Sequence, residues 1–170
     1  MAIHVLGIDP GSHHTGWGIV SGKGSSFKHI ASGTVHAPRG ELPKRLLHIA
    51  DALDAVIAEH NIDAVAVERV FLARNTDSAL KLGHARGVAL LCAARAGVEI
   101  AEYSATEIKQ AVTGRGRAAK EQVQTMVQLI LGLNEILTLD TSDALAAAIC
   151  HAQRHTSPTA TRFAQERKQR

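Results

Sequence analysis

The chain opens with an apolar run that ends on a carboxylate, Ile3-His4-Val5-Leu6-Gly7-Ile8-Asp9. Such a run predicts a short strand that is buried on both faces. The same pattern returns in Ala64-Val65-Ala66-Val67-Glu68. The sequence therefore predicts two buried strands, each with an acidic residue at its end.

Two further carboxylates lie three residues apart in Asp140-Thr141-Ser142-Asp143-Ala144. At this spacing they share one face of a helix, which we predict over roughly 141–152. An Asp near a helix N-terminus is most often a cap and a partner of the helix dipole. Thr141 and Ser142 could serve as caps too, so both interpretations of the two Asp residues stay open here.

The remaining periodicities predict seven more elements. They are strands at Thr15–Val20, Ser26–His36 and Val98–Tyr103, and helices over 42–60, about 76–96, a short segment capped by Ser104 with Glu107, and 118–131. The order β-β-β-α-β-α-β-α-α-α predicts an α/β domain with a mixed five-stranded sheet flanked by helices, the order of the ribonuclease H-like fold. In that fold the first and fourth strands are neighbours, so Asp9 and Glu68 would meet. The last helix would bring Asp140 and Asp143 over the same place.

Four carboxylates in one place would repel each other strongly unless a positive charge lay between them. A hard divalent cation is the usual solution, and ligands that are all oxygen favour Mg²⁺ or Mn²⁺. Two such cations support phosphodiester cleavage. The acidic residues therefore predict a metal-dependent nuclease.

Length and composition predict one domain, residues 1–155, followed by a basic and disordered tail, residues 156–170. With 45% hydrophobic and 3% aromatic residues, the core should consist mainly of Ala, Val, Ile and Leu. Cys92 and Cys150 lie in apolar stretches and are predicted to be buried, reduced thiols. Since the N-terminus shows no signal sequence and no stretch is long enough to span a membrane, we expect a cytoplasmic protein.

Charge is distributed unevenly along the chain. Residues 69–120 carry nine Lys or Arg against four Asp or Glu, whereas residues 121–152 carry none against four. A basic surface beside an acidic metal pocket suits an enzyme that acts on nucleic acid. Ordinary surface charge is the alternative.

Glycines follow the first carboxylate in Asp9-Pro10-Gly11 and Thr15-Gly16-Trp17-Gly18. We predict a sharp turn whose amides approach a phosphate, with a plain hairpin turn as the alternative. Sugar kinases and actin-like ATPases begin with a similar pattern. Those enzymes enclose ATP between two such domains, and this chain has room for one.

The segment after Glu68 places an aromatic residue and cations beside the predicted site, Arg69-Val70-Phe71-Leu72-Ala73-Arg74-Asn75. Phe71 could pack in the core, or it could wedge against an unstacked base. Lys109 and Lys120 flank a basic loop that is either merely solvated or grips a nucleic-acid backbone. In the second case one lysine would offset the charge that develops at the scissile phosphate. His13 and His14 are predicted to be solvent-facing turn residues, and His4 a structural one.

Taken together, these stretches resemble the RuvC family of Holliday-junction resolvases, the crossover junction endodeoxyribonucleases, from residue 3 to about 152. The resemblance is carried, in order and spacing, by Gly7-Ile8-Asp9-Pro10-Gly11, Thr15-Gly16-Trp17-Gly18, Glu68 with Phe71 and Asn75, Asp77-Ser78-Ala79-Leu80-Lys81-Leu82-Gly83, Ala85-Arg86-Gly87, Val112-Thr113-Gly114, Gly116, Ala118, Lys120, Gln122-Val123, and Asp140 with Asp143-Ala144. Trp17 stands where the family commonly has Tyr. The tail has no motif that aligns.

The resemblance implies a homodimer with two Mg²⁺ per active site (Mn²⁺ is possible) that makes paired nicks across a four-way DNA junction. By position, Asp9, Glu68, Asp140 and Asp143 would be the metal ligands, with Lys109 and Lys120 as basic catalytic residues. Phe71 would contact the junction centre, and DNA contacts are expected from Arg74, Asn75, Arg115, Arg117 and Lys120. The nicks would leave a 5′-phosphate and a 3′-hydroxyl, and a branch-migration helicase complex would be a further partner.

Within the predicted helix over 77–96, Leu80, Gly83, Gly87 and Leu91 form an apolar face. This face is a candidate for part of the dimer contact, and ordinary core packing is the alternative. Two other functions also stay open: a different ribonuclease H-like nuclease that cuts hybrids or flaps, and a non-catalytic junction-binding module. The second is disfavoured because a binder would gain affinity by losing negative charge near phosphates.

Overall fold

The computed structural model describes residues 2–69 and 76–156. Its strands are β1 (Ile3–Asp9), β2 (His14–Lys23), β3 (Ser26–His36), β4 (Ala64–Glu68) and β5 (Glu99–Tyr103). Its helices are α1 (Leu42–Glu59), α2 (Thr76–Ala96), α3 (Ala105–Thr113), α4 (Lys120–Leu131) and α5 (Leu139–Thr156). The predicted order of elements is confirmed.

The strands form one mixed sheet in the order β3-β2-β1-β4-β5. β1 is antiparallel to β2 and parallel to β4, with Ile8 opposite Val67. Asp9 and Glu68, the next residues of the two strands, therefore lie at the same edge of the sheet. This confirms the ribonuclease H-like fold and the predicted neighbourhood of the first and fourth strands.

Helices cover both faces of the sheet. Leu6 and Ile8 of β1 pack in a core that includes α1 and α2, whereas Val5 packs in the core under α3, α4 and α5. Because side chains alternate along a strand, Gly7 and Asp9 belong to the same face as Val5. The carboxylate of Asp9 is thus directed to the face that α5 covers.

The backbone of α5 packs directly on β1 and β2 at three glycines of these strands. We call these residues, Gly7, Gly16 and Gly18, the glycine seam. A Cβ on Gly7 would stand 1.8 Å from the carbonyl oxygen of Ala144, and one on Gly16 would stand 2.0 Å from that of Asp140. A Cβ on Gly18 would stand 2.4 Å from the side chain of Leu145. The last helix, which is rich in alanine, therefore packs closely on the sheet.

The glycine seam corrects one prediction. Gly16 and Gly18 do not form a turn after Asp9; they lie inside β2, which is longer than predicted. None of Gly7, Gly11, Gly16 and Gly18 adopts a positive φ. Gly16 and Gly18 are needed because a helix approaches them, and not because the chain reverses there.

At other positions the structure agrees with the local sequence signals. Ser104 and Glu107 form the predicted capping box, in which the Ser104 amide donates to the Glu107 carboxylate at 2.8 Å. Gly114 ends α3 at φ +74°. His4 Nδ1 lies 3.0 Å from the carbonyl oxygen of Asn61, which confirms a structural role for this side chain.

Cys92 and Cys150 are buried free thiols, as predicted, and burial raises the pKa of each to about 11. Among the described residues no helix has both the length and the apolar content to cross a membrane. Most of the predicted tail, residues 157–170, lies outside the described part of the chain.

We predict that Gly7→Ala lowers the free energy of unfolding by about 3 kcal/mol or more, because the new Cβ would collide with the backbone of α5. Gly33→Ala is the matched control on β3 of the same sheet, since the nearest atoms to its Cβ would be ring atoms of Trp17, at 3.2 Å. Urea unfolding measures both. Equal losses in the two variants would contradict the close approach of α5 to Gly7.

Candidate metal centre

Two of the predicted carboxylates lie at the ends of adjacent strands. Asp9 ends β1 and Glu68 ends β4, and both side chains are half-buried. Their strands are parallel neighbours, so the pair is fixed by the sheet register. The sheet thus supplies one rigid half of the site.

The other two carboxylates lie in the first turns of α5. The helix begins at Leu139, two residues before the predicted start, because Thr138 and not Thr141 or Ser142 caps it. Thr138 Oγ1 accepts from the amide of Thr141 at 3.2 Å. The hydroxyl of Thr141 instead donates to the carbonyl of Gly33 at 3.2 Å and so ties the start of α5 to β3.

Electrostatics shows that the four carboxylates come together. The pKa of Asp9 is raised from 3.8 to about 7, first by burial and then by the negative charges of Asp143, Asp140 and Glu68. Burial and the carboxylate of Asp143 likewise raise the pKa of Glu68. Residues more than 130 positions apart therefore share one electrostatic site, as the sequence predicted.

Lys120 and Lys109 lie beside these carboxylates. Lys120 Nζ is 3.1 Å from Asp143 Oδ2, and this carboxylate is the main cause of the raised pKa of Lys120. Lys120 and, to a smaller extent, Lys109 lower the pKa of Glu68. The structure thus brings both predicted lysines to the acidic site.

A cavity of about 370 Å³ opens at this point, lined by Asp9, Pro10, Glu68, Arg69, Leu82, Ala105, Lys120 and Asp143. A smaller one of about 150 Å³ adjoins it, and Lys109 lines it together with Glu68, Lys120 and Asp143. Asp140 lines neither cavity. Its charge reaches Asp9 from the side of β2, where its carbonyl contacts the glycine seam.

Of the other residues predicted to contact DNA, the structure describes only some. Phe71, Arg74 and Asn75 fall outside the described residues. Arg115 and Arg117 are exposed on the loop between α3 and α4. Arg115 lines a separate cavity of about 500 Å³ that none of the four carboxylates reaches.

The two histidines after Asp9 have partners in the sheet and in α1. His14 Nδ1 is 2.9 Å from Nδ1 of His36 on the neighbouring strand. His13 contacts the guanidinium of Arg45, with Nη1 3.0 Å from its Nδ1. Both imidazoles are exposed, in agreement with the prediction.

The residues of this site fit a hard divalent cation by their chemistry. All four acidic donors are oxygens, and burial together with the negative charges of the other three raises the pKa of Asp9 to about 7. Within residues 2–69 and 76–156, no three His, Cys, Asp or Glu side chains form a closed ligand group. The fit therefore rests on the donor type and the uncompensated charge, which a divalent cation would relieve.

Two residues that shape the site were missed in the sequence. Thr138 caps α5, and the signal for it was a Thr immediately before the first apolar residue of the helix. Thr15 is fully buried and fastens the turn after Asp9: its hydroxyl donates to the carbonyl of Gly11 at 2.8 Å. In the sequence, Thr15 stands out only as part of the glycine motif Thr15-Gly16-Trp17-Gly18.

Comparison with known proteins gives consistent matches. Residues 5–151 match the family described as crossover junction endodeoxyribonuclease RuvC. A curated member from Pelobacter propionicus is 53% identical over 154 residues, which cover 90% of this chain and 88% of that protein. RuvC of T. thermophilus, solved in complex with a Holliday junction substrate, superposes with a TM-score of 0.84 at 36% identity, covering 91% of this chain and 95% of that one.

A more distant structure shares the fold alone. The yeast mitochondrial Holliday junction resolvase superposes with a TM-score of 0.64 at 12% identity, covering 95% of this chain and 84% of that one. The sheet order and the covering helices therefore persist where most residues differ.

We predict that Asp9→Asn stabilises the metal-free protein at pH 8. The folded state keeps a proton on Asp9 that the unfolded chain has released between about pH 4 and 7, so the contribution of this carboxyl to stability falls as pH rises through that window. Removing the charge should raise the free energy of unfolding by roughly 1–3 kcal/mol at pH 8 and much less at pH 4.

Urea unfolding in EDTA at the two pH values measures this effect. Asp51→Asn, at an exposed position of α1, is the control and should change stability by less than about 0.5 kcal/mol. A destabilised Asp9→Asn protein at pH 8 would show that the carboxylates do not repel one another in the fold.

Proposed function

This chain belongs to the RuvC family of crossover junction endodeoxyribonucleases, and on that premise we propose that it resolves four-way (Holliday) DNA junctions by paired, symmetric, metal-dependent nicks. Each nick would leave a 5′-phosphate and a 3′-hydroxyl. The observation that supports the proposal is the placement of the carboxylates: Asp9 and Glu68 end adjacent parallel strands, and Asp140 and Asp143 lie in the first turns of the helix that covers that face. Burial and the three other carboxylates accordingly raise the pKa of Asp9.

We infer that Asp9, Glu68, Asp140 and Asp143 hold two Mg²⁺ ions, with Mn²⁺ as an alternative metal. When bound, such cations supply an activated water and stabilise the leaving oxygen. Asp9 is the central ligand because its strand lies between β2 and β4, and because all three other carboxylates contribute, after burial, to its raised pKa. The rigid register of β1 and β4 fixes two of the ligands, and α5 supplies the other two.

In this proposal Lys120 and Lys109 neutralise negative charge, first on the carboxylates and then on the bound phosphodiester. Lys120 offsets the negative charge of Asp143 before substrate arrives, which its contact at 3.1 Å supports. With a phosphodiester in the 370 Å³ cavity, the Lys120 ammonium would lie beside the group on which charge accumulates in the transition state, and Lys109 would act from the adjoining cavity of about 150 Å³. The two lysines would thus stabilise the transition state without forming a covalent bond.

The segment that follows Glu68 is the proposed junction contact. In the sequence, Phe71, Arg74 and Asn75 stand between Glu68, which ends β4 at the metal centre, and Thr76, which begins α2. Phe71 would insert at an unstacked base pair at the junction centre. The exposed Arg115 and Arg117 would bind the phosphates of an arm farther from the site.

We also propose a homodimer formed through α2. Leu80 and Leu91 are 64% and 56% exposed, and within the described residues no atom lies within 4 Å of a Cβ built on Gly83 or Gly87. Among those residues the core packs instead against the opposite face of the helix, which consists of Ala85, Ala89, Cys92 and Ala93. A two-fold dimer would present two equivalent sites to the two equivalent strands of a junction.

We also propose a cytoplasmic location, which was expected from the sequence, and an association with a branch-migration helicase complex, which the resemblance implies. Binding of that complex to this chain on a junction, measured by co-sedimentation with and without the protein, tests the second.

Cleavage assays test the proposed function. In Mg²⁺ the protein should cut a synthetic four-way junction symmetrically, and it should leave a linear duplex and an RNA/DNA hybrid largely intact. EDTA should abolish cutting. Asp9→Asn should lower the cleavage rate by at least about 10³-fold while the Kd for the junction changes less than about threefold.

Three results would redirect the assignment. Cleavage of the hybrid in preference to the junction would favour a different ribonuclease H-like nuclease. Junction binding without cleavage in any divalent metal would favour a binding module. Equal loss of binding and cutting in Asp9→Asn would contradict its role as a ligand.

For the dimer, we predict that Leu80→Glu sediments as a monomer because it places a charge in the proposed contact. Leu47→Glu is a matched control, since Leu47 is 62% exposed on α1. It should sediment like the wild type. A dimeric Leu80→Glu protein would move the contact away from this face.

A further inference from the structure

Arg86 connects α2 to the end of the strand that carries Glu68. Its Nε donates to the backbone carbonyl of Glu68 at 3.3 Å, and its Nη2 pairs with the carboxylate of Glu102 on β5. The side chain is only 18% exposed. One guanidinium therefore joins a helix and two strands at the edge of the metal centre.

The backbone at Glu68 needs such support because the ladder ends there. Glu68 is the last residue of β4, opposite Tyr103, and the amide of Arg69 makes one further bond, to the carbonyl of Tyr103 at 2.7 Å. The side chain of Arg69 donates to the carbonyl of Glu102 from the same end. Beyond this point the chain leaves the sheet.

The geometry points to Arg86 as a positioning residue for Glu68. This inference rests on the proposed function, in which Glu68 is a metal ligand. Arg86 holds the main chain of Glu68 at a fixed place relative to β5, and the side chain of Glu68 thereby keeps its direction toward Asp9 and Asp143. Because Arg86 lies on α2 next to Gly87 of the proposed dimer face, it also links the packing of that helix to the metal centre.

Arginine suits this task better than lysine. Its planar fork offers donors in two directions, so it bonds a carbonyl and a carboxylate at once, whereas an ammonium is a single compact charge. Partial burial strengthens both bonds and makes the loss of either partner costly. Residues that orient a metal ligand commonly change metal affinity by about 10–100-fold when they are replaced.

The test compares Arg86→Ala with Arg95→Ala. Arg95 lies on the same helix and forms an ion pair with Asp54 of α1, away from the carboxylates. Two readouts are used: the Mg²⁺ concentration that gives half of the Mg²⁺-induced rise in Tm, and the Mg²⁺ concentration that gives half of the maximal junction-cleavage rate. In Arg86→Ala we expect both to rise by about tenfold, with Kd for the junction unchanged.

Arg95→Ala should keep wild-type Mg²⁺ midpoints even if its Tm falls. Arg86→Lys retains the charge and should recover only part of the affinity, which a general stability effect would not reproduce. Glu102→Gln keeps an acceptor for Arg86 and leaves its bond to Glu68, so its Mg²⁺ midpoint should shift less than that of Arg86→Ala.

A wild-type Mg²⁺ midpoint in Arg86→Ala would overturn the inference. If that variant does not fold, Arg86→Lys decides: an unchanged midpoint in the lysine protein would overturn the inference equally. The proposed function fails in a different way, namely if the wild-type protein shows neither a Mg²⁺-induced rise in Tm nor cleavage of the junction.

Discussion

The close contact between the backbone of α5 and the glycine seam is the constraint on which the site depends. Gly7, Gly16 and Gly18 have no side chains, so the carbonyls of Asp140 and Ala144 rest on β1 and β2 themselves. With any larger residue the helix would have to move outward by the width of a side chain. Its two carboxylates would then no longer face the strand ends that carry Asp9 and Glu68.

Bringing these groups together has an energetic consequence. Burial and three like charges disfavour the ionised form of Asp9, and Lys120 compensates only part of this. The metal-free fold therefore tolerates a strained charge arrangement, which the surrounding core must outweigh. Strain of this kind is common where a site is prepared for a ligand of opposite charge.

Much of the fold was predictable because the signals were local. The apolar runs of β1 and β4, the capping box of Ser104 and Glu107, and the heptad-like spacing of α1 each specify an element without reference to distant residues. The convergence of the four carboxylates followed from the order of the elements. The register of β1 and β4 confirms it for Asp9 and Glu68, and the position of α5 on the glycine seam brings Asp140 and Asp143 to the same face.

What could not be predicted depends on tertiary contacts. The glycines of β2 suggest a turn in the sequence, and only the position of α5 shows that they admit a helix. The predicted start of α5 is two residues late because Thr141 and Ser142 are plausible caps in the sequence, and only the bond from the Thr141 amide to Thr138 Oγ1 identifies Thr138 as the cap. Arg86 gives no local sign that it reaches Glu68, and Phe71, Arg74 and Asn75 lie outside the described residues.

The most direct test of the central claim is an NMR titration of the Asp9 carboxyl group in the metal-free protein. If the four carboxylates share one site, the pKa of Asp9 in the wild-type protein is about 7. In Asp143→Asn the pKa of Asp9 moves toward 3.8. A pKa near 3.8 in the wild-type protein, unchanged by that substitution, would contradict the convergence from which the metal centre and the proposed activity follow.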